Sequence, residues 1–465
     1  MNTFLNIHRL KNTMILIFIP LLFLGCEDFL EIDDPTGQIP HNAVFEDKTT
    51  ATAAVTSLYA KLRDEVLLTG KPTGLSFIMG IYADEMDYYG NGGDLLDAFF
   101  QHRVVSTDLV VQSIWDGSYQ VLYMSNGILE GLNSSQSLDA ETKAQLRGET
   151  LFVRSLVLFY LTDLFGDIPF PTSTDYEINK SISKTQQTII YENILLDLQE
   201  AKGLVSDSYI SGERTRANKG AISALLSRLY LYLNQWENAN TESSEIINNS
   251  ALYGLETDLS LEFLKESRSA ILQLDPKYNG DNTEEGLTFI FGFGPPPLVS
   301  LNPSLVEDME LEDLRKVAWI GEITDGSSTW FYPQKYKQDS NTGESIEYSI
   351  VFRLAEQYVI RAEARARLGD LNGAKSDLNV IRNRAGLSDT QANTFTEIMD
   401  AIVTENRFEM FAEHGSRWFN IKRLGLANEL LSPIKQNWKP TDLLFPIPES
   451  ELLMNPNLNP QNPGY

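Results

Sequence analysis

At 465 residues, 42% hydrophobic and 10% aromatic, the chain has ample apolar surface for a packed core, which excludes an intrinsically disordered protein. Lys and Arg total 37 against 64 Asp and Glu, a net charge of −27; a polyanion of that size repels phosphate backbones and argues against nucleic acid as a partner. A single cysteine excludes an internal disulfide and a Cys-based zinc site.

The N-terminus reads His8, Arg9 and Lys11, then an uncharged apolar run from Met14 to Leu24, then Gly25-Cys26. That run is about half of the roughly 20 residues a membrane-spanning helix needs, so residues 1–25 read as an export signal. The lone cysteine directly after it resembles a bacterial lipobox, in which Cys26 becomes the lipidated first residue of the mature protein. From Cys26 onward the chain holds 35 basic and 64 acidic residues, a net −29. Residues 26–48 read as a tether around Asp33-Asp34-Pro35.

Thr49 to Asp64 has Ala54, Leu58 and Leu62 on one helical face. Residues 70–107 then lose helical period: Gly74, Gly80, Gly90, Gly92 and Gly93 interrupt the chain, while Tyr82, Tyr88, Tyr89, Phe99 and Phe100 punctuate it. A ring-rich loop is predicted there. Helical pattern returns at 108–132, around Trp115, Tyr119, Leu122 and Ile128, and again at 139–165, 186–204 and 217–249. Residues 250–350 form a second poorly patterned insertion, with Gly292-Phe293-Gly294-Pro295-Pro296-Pro297, Asp325-Gly326, and the rings Trp319, Trp330, Phe331, Tyr332 and Tyr336.

The most legible stretch is 351–385. Leu354, Tyr358, Ala362 and Ala366 make one buried helix face; Gly369 supplies a left-handed cap, Asp370 caps the next helix, and Ala374, Leu378, Ile381 and Ala385 make a second face that Gly386 ends. Leu233-Asn234-Gln235-Trp236-Glu237-Asn238-Ala239 aligns without a gap to Leu368-Gly369-Asp370-Leu371-Asn372-Gly373-Ala374, so the helical hairpin occurs twice. Small residues at the crossings resemble a tetratricopeptide (TPR) unit, here in a scaffold with insertions rather than a tandem array. A further helical segment is predicted at 395–431. Prolines 456, 460 and 463 rule out an α-helix in the last ten residues.

Taken in order, these segments resemble the SusD/RagB family of outer-membrane nutrient-binding lipoproteins. The resemblance rests on Cys26-Glu27-Asp28-Phe29-Leu30, Phe152-Val153-Arg154 through Phe165-Gly166-Asp167-Ile168-Pro169, Lys219-Gly220-Ala221 through the Trp236 hairpin, and Arg361-Ala362-Glu363-Ala364 through Arg384-Ala385-Gly386-Leu387. It continues in Glu405-Asn406-Arg407-Phe408-Glu409 with Arg417-Trp418-Phe419, and in Pro446-Ile447-Pro448 with Gln461-Asn462-Pro463-Gly464-Tyr465. Asn406 stands where the family often has Arg, and Asn420 where it often has Asp.

The resemblance implies a mainly all-α fold: one SusD-like domain over 26–465, with TPR-like scaffold helices at about 49–65, 108–249 and 351–431, a few short strands, and a loop-rich ligand face from insertions 70–107 and 250–350. It further implies a lipid-anchored, surface-exposed outer-membrane protein that captures oligosaccharide, or alternatively peptide, and passes it to a SusC-type TonB-dependent transporter. Family members are not enzymes and no cofactor is implied.

Sugar rings have an apolar face, so a glycan surface needs exposed aromatic rings flanked by amides or carboxylates. Two regions meet that need: Trp330 and Tyr332, which on an extended segment share a side that Phe331 does not, and Tyr88 and Tyr89 beside Asp87 and Asn91, with Asp84 and Asp94 nearby. The alternative role of any one such ring is to pin a long loop to the scaffold. Trp319, Trp115, Trp236 and Trp418 fit packing roles. Arg407, Glu409, Glu413 and Arg417 have helical spacing suited to a buried ion network. The 64 acids provide no distinguishable glycosidase pair, and a surface glycan hydrolase or a periplasmic TPR adaptor has less support. The histidines lack metal-ligand spacing. Asp275 to Gly286 imitates a calcium loop, but Lys277 occupies a ligand position and Gly286 replaces the required Glu.

Overall fold

The computed structural model describes residues 41–465; the expected signal, Cys26 and most of the tether lie outside the described residues. The chain divides into two units after Val44. In the first, His41–Val44 is a single helical turn. The second holds all the other described elements.

The scaffold begins with α1 (Lys48–Asp64), whose N-cap Asp47 accepts from the Thr49 and Thr50 amides. The next helices are α2 (Leu75–Tyr82), α3 (Leu95–Phe100), α4 (Leu109–Ser134), α5 (Ala140–Phe165), α6 (Gln187–Leu204), α7 (Lys219–Tyr232) and α8 (Trp236–Asn248). α5 is the axis: Gly148 to Phe165 are all buried, and a helix buried on every side belongs in the centre. Its one buried guanidinium, Arg154, makes a two-pronged bond to Asp197 of α6 and another to Asn126 of α4. Charge and lone pairs are thus satisfied inside the core.

After α9 (Leu314–Trp319) the scaffold resumes with α10 (Leu354–Arg367), α11 (Leu371–Arg384), α12 (Phe395–Met410) and α13 (Ser416–Arg423). The expected hairpin forms as read. Gly369 has φ +84°, Asp370 accepts from the Gly373 amide at 2.9 Å, and Ala362, Ala366 and Ala374 pack with Leu378, Ile398 and Ile402. In the other copy, α7–α8, Asn234 takes φ +55° at the position that aligns with Gly369, because Asn tolerates the left-handed region better than most side chains. α8 packs on α10, so the hairpins lie side by side. No helix among the described residues is long and apolar enough to cross a membrane.

Several boundaries differ from expectation. Residues 70–107 are not a loop throughout, since α2 and α3 lie there. Every residue of α2 is buried, so it has no polar face and no period to read. Val351 to Arg353 belong to a strand, and 395–431 is three helices, broken at the left-handed Ala412, His414 and Gly415 and again at Gly425. The last ten residues hold one 3-10 turn, Pro456–Leu458.

Among the described residues there are eight short strands: β1 (Met86–Tyr88), β2 (Ile168–Pro169), β3 (Lys184–Thr185), β4 (Ala270–Leu274), β5 (Val299–Leu301), β6 (Ile320–Thr324), β7 (Thr329–Pro333) and β8 (Ser349–Arg353). β1-β5-β7-β6 form one antiparallel sheet, β2-β3 a ribbon, and β4-β8 another.

A buried ion network ties the second insertion to the scaffold. Glu409 accepts from Arg315 at 3.0 Å, Arg353 at 2.5 Å and Arg384; Glu413 pairs with Arg353 at 2.7 Å and with Lys335; Glu405 pairs with Arg315 at 2.6 Å. Burial would raise the Glu409 carboxyl, but the guanidiniums of Arg384, Arg353 and Arg315 outweigh it and hold it well below the usual range. The expected partners are corrected here: Arg417 instead pairs with Asp84 at 2.6 Å, and Arg407 with Asp308 at 2.7 Å. Residues four apart share a helix face, but long arginines reach whichever acid the tertiary fold brings. The two family departures meet each other, with Asn420 Nδ2 donating to Asn406 Oδ1 at 3.2 Å.

Candidate functional site

The two ring-rich insertions meet in one sheet. β1, from the first, pairs antiparallel with β5, from the second, in the register Met86–Leu301, Asp87–Ser300 and Tyr88–Val299, and β5 pairs with β7 at Leu301–Phe331. The Tyr89 amide extends the pairing by donating to the Leu298 carbonyl at 2.7 Å.

That hydrogen bond holds one end of the Ile290–Leu298 loop. Near its other end, the Phe291 ring meets Tyr332 of β7 at 4.9 Å between centroids. In the middle, Trp330 lies over Gly294 so closely that a Cβ there would come within 2.0 Å of the ring, a contact only glycine allows. Between these fixed points Phe293 projects outward, 67% exposed. Tyr89 is 39% exposed and Trp330 partly so. Three rings from Tyr89, Phe293 and Trp330 therefore stand around one pinned loop, with the exposed Asn91 just beyond Tyr89 as an amide hydrogen bonder.

The remaining predicted residues stand behind that surface. Trp330 and Tyr332 share a side of β7, opposite Ile323 and Gly321, but Tyr332 is 8% exposed and lies across Gly321. Tyr88 packs edge-on against Phe77 and donates to Asp94 at 2.7 Å, and its ring fills the space over Gly90. Asp87 accepts from Asn302 at 2.9 Å. Behind them Lys435 sits over the Phe100 ring and donates to the Ile81 carbonyl; burial pulls its ammonium down to about 8, against the raising influence of Asp87 and Asp84. At the start of β1, Glu85 is buried with Oε1 unpartnered, and burial, followed by the Asp84 charge, pushes its carboxyl up to about 8.

Phe293 was not among the candidate residues that the sequence suggested. Its signal was present: a ring flanked by two glycines and followed by three prolines has no strand or helix face to be buried on. Among the described residues no group of three His, Cys, Asp or Glu could hold a metal ion. Outward rings with an amide nearby can pack on apolar faces and accept or donate hydrogen bonds.

Comparison with known proteins adds the following. A family model described as "Starch-binding associating with outer membrane" matches residues 29–231, and the SusD family model matches 314–465. The SusD-like protein P2 of Formosa agariphila is 26% identical, the alignment covering 98% of this chain and all of the relative. A SusD superfamily protein of Bacteroides vulgatus superposes with a TM-score of 0.77 at 21% identity, over 90% of this chain and 99% of the other. A laminarin-binding SusD-like protein superposes with a TM-score of 0.76 at 21% identity, with the same coverage.

Proposed function

The chain belongs to the SusD family, and on that premise we propose that it is a cell-surface glycan-binding protein rather than an enzyme. The single observation that carries this reading is the convergence of Tyr89, Phe293 and Trp330, from two distant insertions, around one loop pinned at Gly294 and Leu298. Such rings present apolar faces to a sugar, and each well-packed contact is worth about 1 kcal/mol or more. Asn91 contributes the directional hydrogen bonding, while Tyr88, Asp87 and Tyr332 hold the surface in place. The descriptions of one family model (starch) and of one structural neighbour (laminarin) support a glycan as the ligand class.

In the same reading Cys26 carries the lipid that anchors the chain to the outer membrane, and the scaffold docks on a SusC-type TonB-dependent transporter that receives the glycan. Peptide capture uses the same platform with a different ligand. Calorimetry of the protein against panels of neutral oligosaccharides and of peptides tests both. Glycan binding that weakens at least about tenfold in Phe293→Ala and in Trp330→Ala is expected; binding only to peptides, or glycan affinity unchanged in both variants, overturns the proposal. Replacement of Cys26 by Ala is expected to release the protein from the membrane fraction.

A further inference from the structure

An asparagine followed by a glycine occurs four times in the chain, at Asn91-Gly92, Asn126-Gly127, Asn279-Gly280 and Asn372-Gly373. This order favours attack of the glycine amide nitrogen on the asparagine side-chain carbonyl carbon, because glycine has no side chain in the way and its backbone turns easily. Two further conditions apply. The glycine N–H must be free of a strong hydrogen bond, and the backbone must be able to bring the two groups together. The fold decides which of the four pairs meets them.

Three pairs are locked. Asn126 is 1% exposed within α4, with Oδ1 accepting from Arg154 and Nδ2 donating to the Pro171 carbonyl, both at 2.9 Å. Gly280 is buried, and its amide donates to the Ser345 hydroxyl at 3.0 Å. Gly373 lies in the first turn of α11, where its amide donates to the Asp370 carboxylate at 2.9 Å. Asn91-Gly92 differs on each count. Both residues are exposed, in a turn where the Asp94 amide donates to the Asn91 carbonyl at 3.2 Å. Among the described residues neither the Gly92 amide nor the Asn91 side chain has a hydrogen-bond partner. A Cβ at Gly92 or Gly93 would meet nothing within 4 Å, so the turn has room to rearrange.

We propose that Asn91 is a site of spontaneous deamidation. The Gly92 nitrogen bonds to Asn91 Cγ, the Cγ–Nδ2 bond breaks, and ammonia leaves with the proton given up by the Gly92 N–H. One water then opens the cyclic imide: cleavage at Cγ gives aspartate, and cleavage at the main-chain carbonyl gives isoaspartate. Water is the only other reactant. Either product replaces a group that donates and accepts by one that only accepts, and adds a negative charge to a chain already at −27. Isoaspartate also puts an extra methylene into the main chain between Tyr89, whose amide is tied to the Leu298 carbonyl, and Asp94, which accepts from Tyr88. The modification stands on this geometry alone. Its effect on binding rests on the glycan reading above, in which Asn91 supplies the directional hydrogen bonding, and there it makes affinity decline with the age of the molecule.

The test uses the full chain, aged in buffer at mildly alkaline pH, then digested and read by mass spectrometry with fragmentation that separates aspartate from isoaspartate. The Asn91 peptide is expected to gain about 1 Da in a fraction at least about tenfold larger than the peptides of Asn126, Asn279 and Asn372. Gly92→Ala is the decisive variant, since open space accepts the methyl group and the Gly92 backbone is outside the left-handed region. It is expected to slow conversion about tenfold while the melting temperature holds or rises. Absence of conversion at Asn91, equal conversion at all four pairs, or an unchanged rate in Gly92→Ala overturns the assignment. Calorimetry with oligosaccharides on fresh and aged protein reads the consequence: affinity is expected to fall about threefold or more on ageing and to be kept in Gly92→Ala aged alike. Equal affinity of fresh and converted protein overturns the link to binding and leaves the modification site intact. Fresh protein that binds no oligosaccharide overturns the glycan reading, and the mass spectra still decide the site.

Discussion

The Trp330 indole rests directly on the backbone of Gly294: a Cβ added there would stand 2.0 Å from Cζ3 of the ring. Gly294→Ala therefore must displace the indole or the loop. Overpacking of this kind costs about 1–3 kcal/mol, here at a partly exposed position. Glycan affinity is expected to fall about tenfold by calorimetry, with a change in tryptophan emission and a modest loss in melting temperature. Unchanged affinity would show that indole placement does not matter to binding.

Tyr88 gives the contrasting case. Tyr88→Phe keeps the ring against Phe77 and deletes the hydrogen bond to Asp94, which is worth about 1 kcal/mol. Chemical denaturation should report that loss, and glycan affinity should change less than twofold. A large affinity loss with no stability loss would move Tyr88 to the ligand-contacting surface.

Glu85 predicts a pH dependence. Its carboxyl is raised to about 8 by burial and then by Asp84, with Arg417, Lys335 and Arg407 opposing. Between the ordinary carboxylate value and about 8, the folded state holds a proton that the unfolded state has released. Stability therefore falls as pH rises across that window and is not penalised below it. Glu85→Gln, which cannot ionise, should raise stability by about 1–3 kcal/mol at pH 8.5 and by little at pH 4.5, measured by denaturation at both values. An equal effect at the two pH values would disprove the assignment.

The Glu409 carboxylate is the hub between Arg315, Arg353 and Arg384. Glu409→Gln leaves buried guanidiniums undercompensated, which costs about 3–5 kcal/mol. Asp308→Ala, which removes the exposed partner of Arg407, should cost under about 1 kcal/mol. Comparable melting temperatures for the two variants would refute a central role for the network.

The Asn420–Asn406 pair permits a double-mutant cycle. Asn406→Arg places a charge opposite a neutral amide, and Asn420→Asp places one between that amide and Arg423, which donates to Asn420 Oδ1 at 2.9 Å, whereas the double variant adds an ion pair between positions 406 and 420. A coupling energy of about 0.5–3 kcal/mol in favour of the double variant is expected from denaturation of all four proteins. Additive effects would mean the two side chains do not interact.

The scaffold was legible because its helices are one-sided. Ala362 and Ala366, and Ala374 and Leu378, are each four apart on their helices, and Gly369 and Asn234 mark the turns at matching positions. α2 was illegible for the opposite reason: with Phe77, Ile78, Met79 and Ile81 all fully buried, no polar face alternates with the apolar one. The proposed platform was half legible. Trp330 and Tyr89 stood out as rings in loops, but the β1–β5 register that brings Tyr89 to the Phe293 loop is a contact between residues about 200 apart in the chain, and no local pattern encodes it.

One further consequence follows from the β4–β8 ribbon. Leu274 and Ser349 are partnered residues, so the chain leaves the scaffold and returns to it through a neck two strands wide, and the span between them closes on itself. Loop-closure entropy grows only slowly with length. A span of different length and composition could therefore be exchanged at this neck without rethreading a helix, provided that it re-forms the β5 edge for β1 and returns Arg315 and Lys335 to Glu409 and Glu413. The neck therefore bounds an exchangeable span, and if the proposed glycan surface holds, exchange at Leu274 and Ser349 would move the Phe293 and Trp330 part of that surface as one piece.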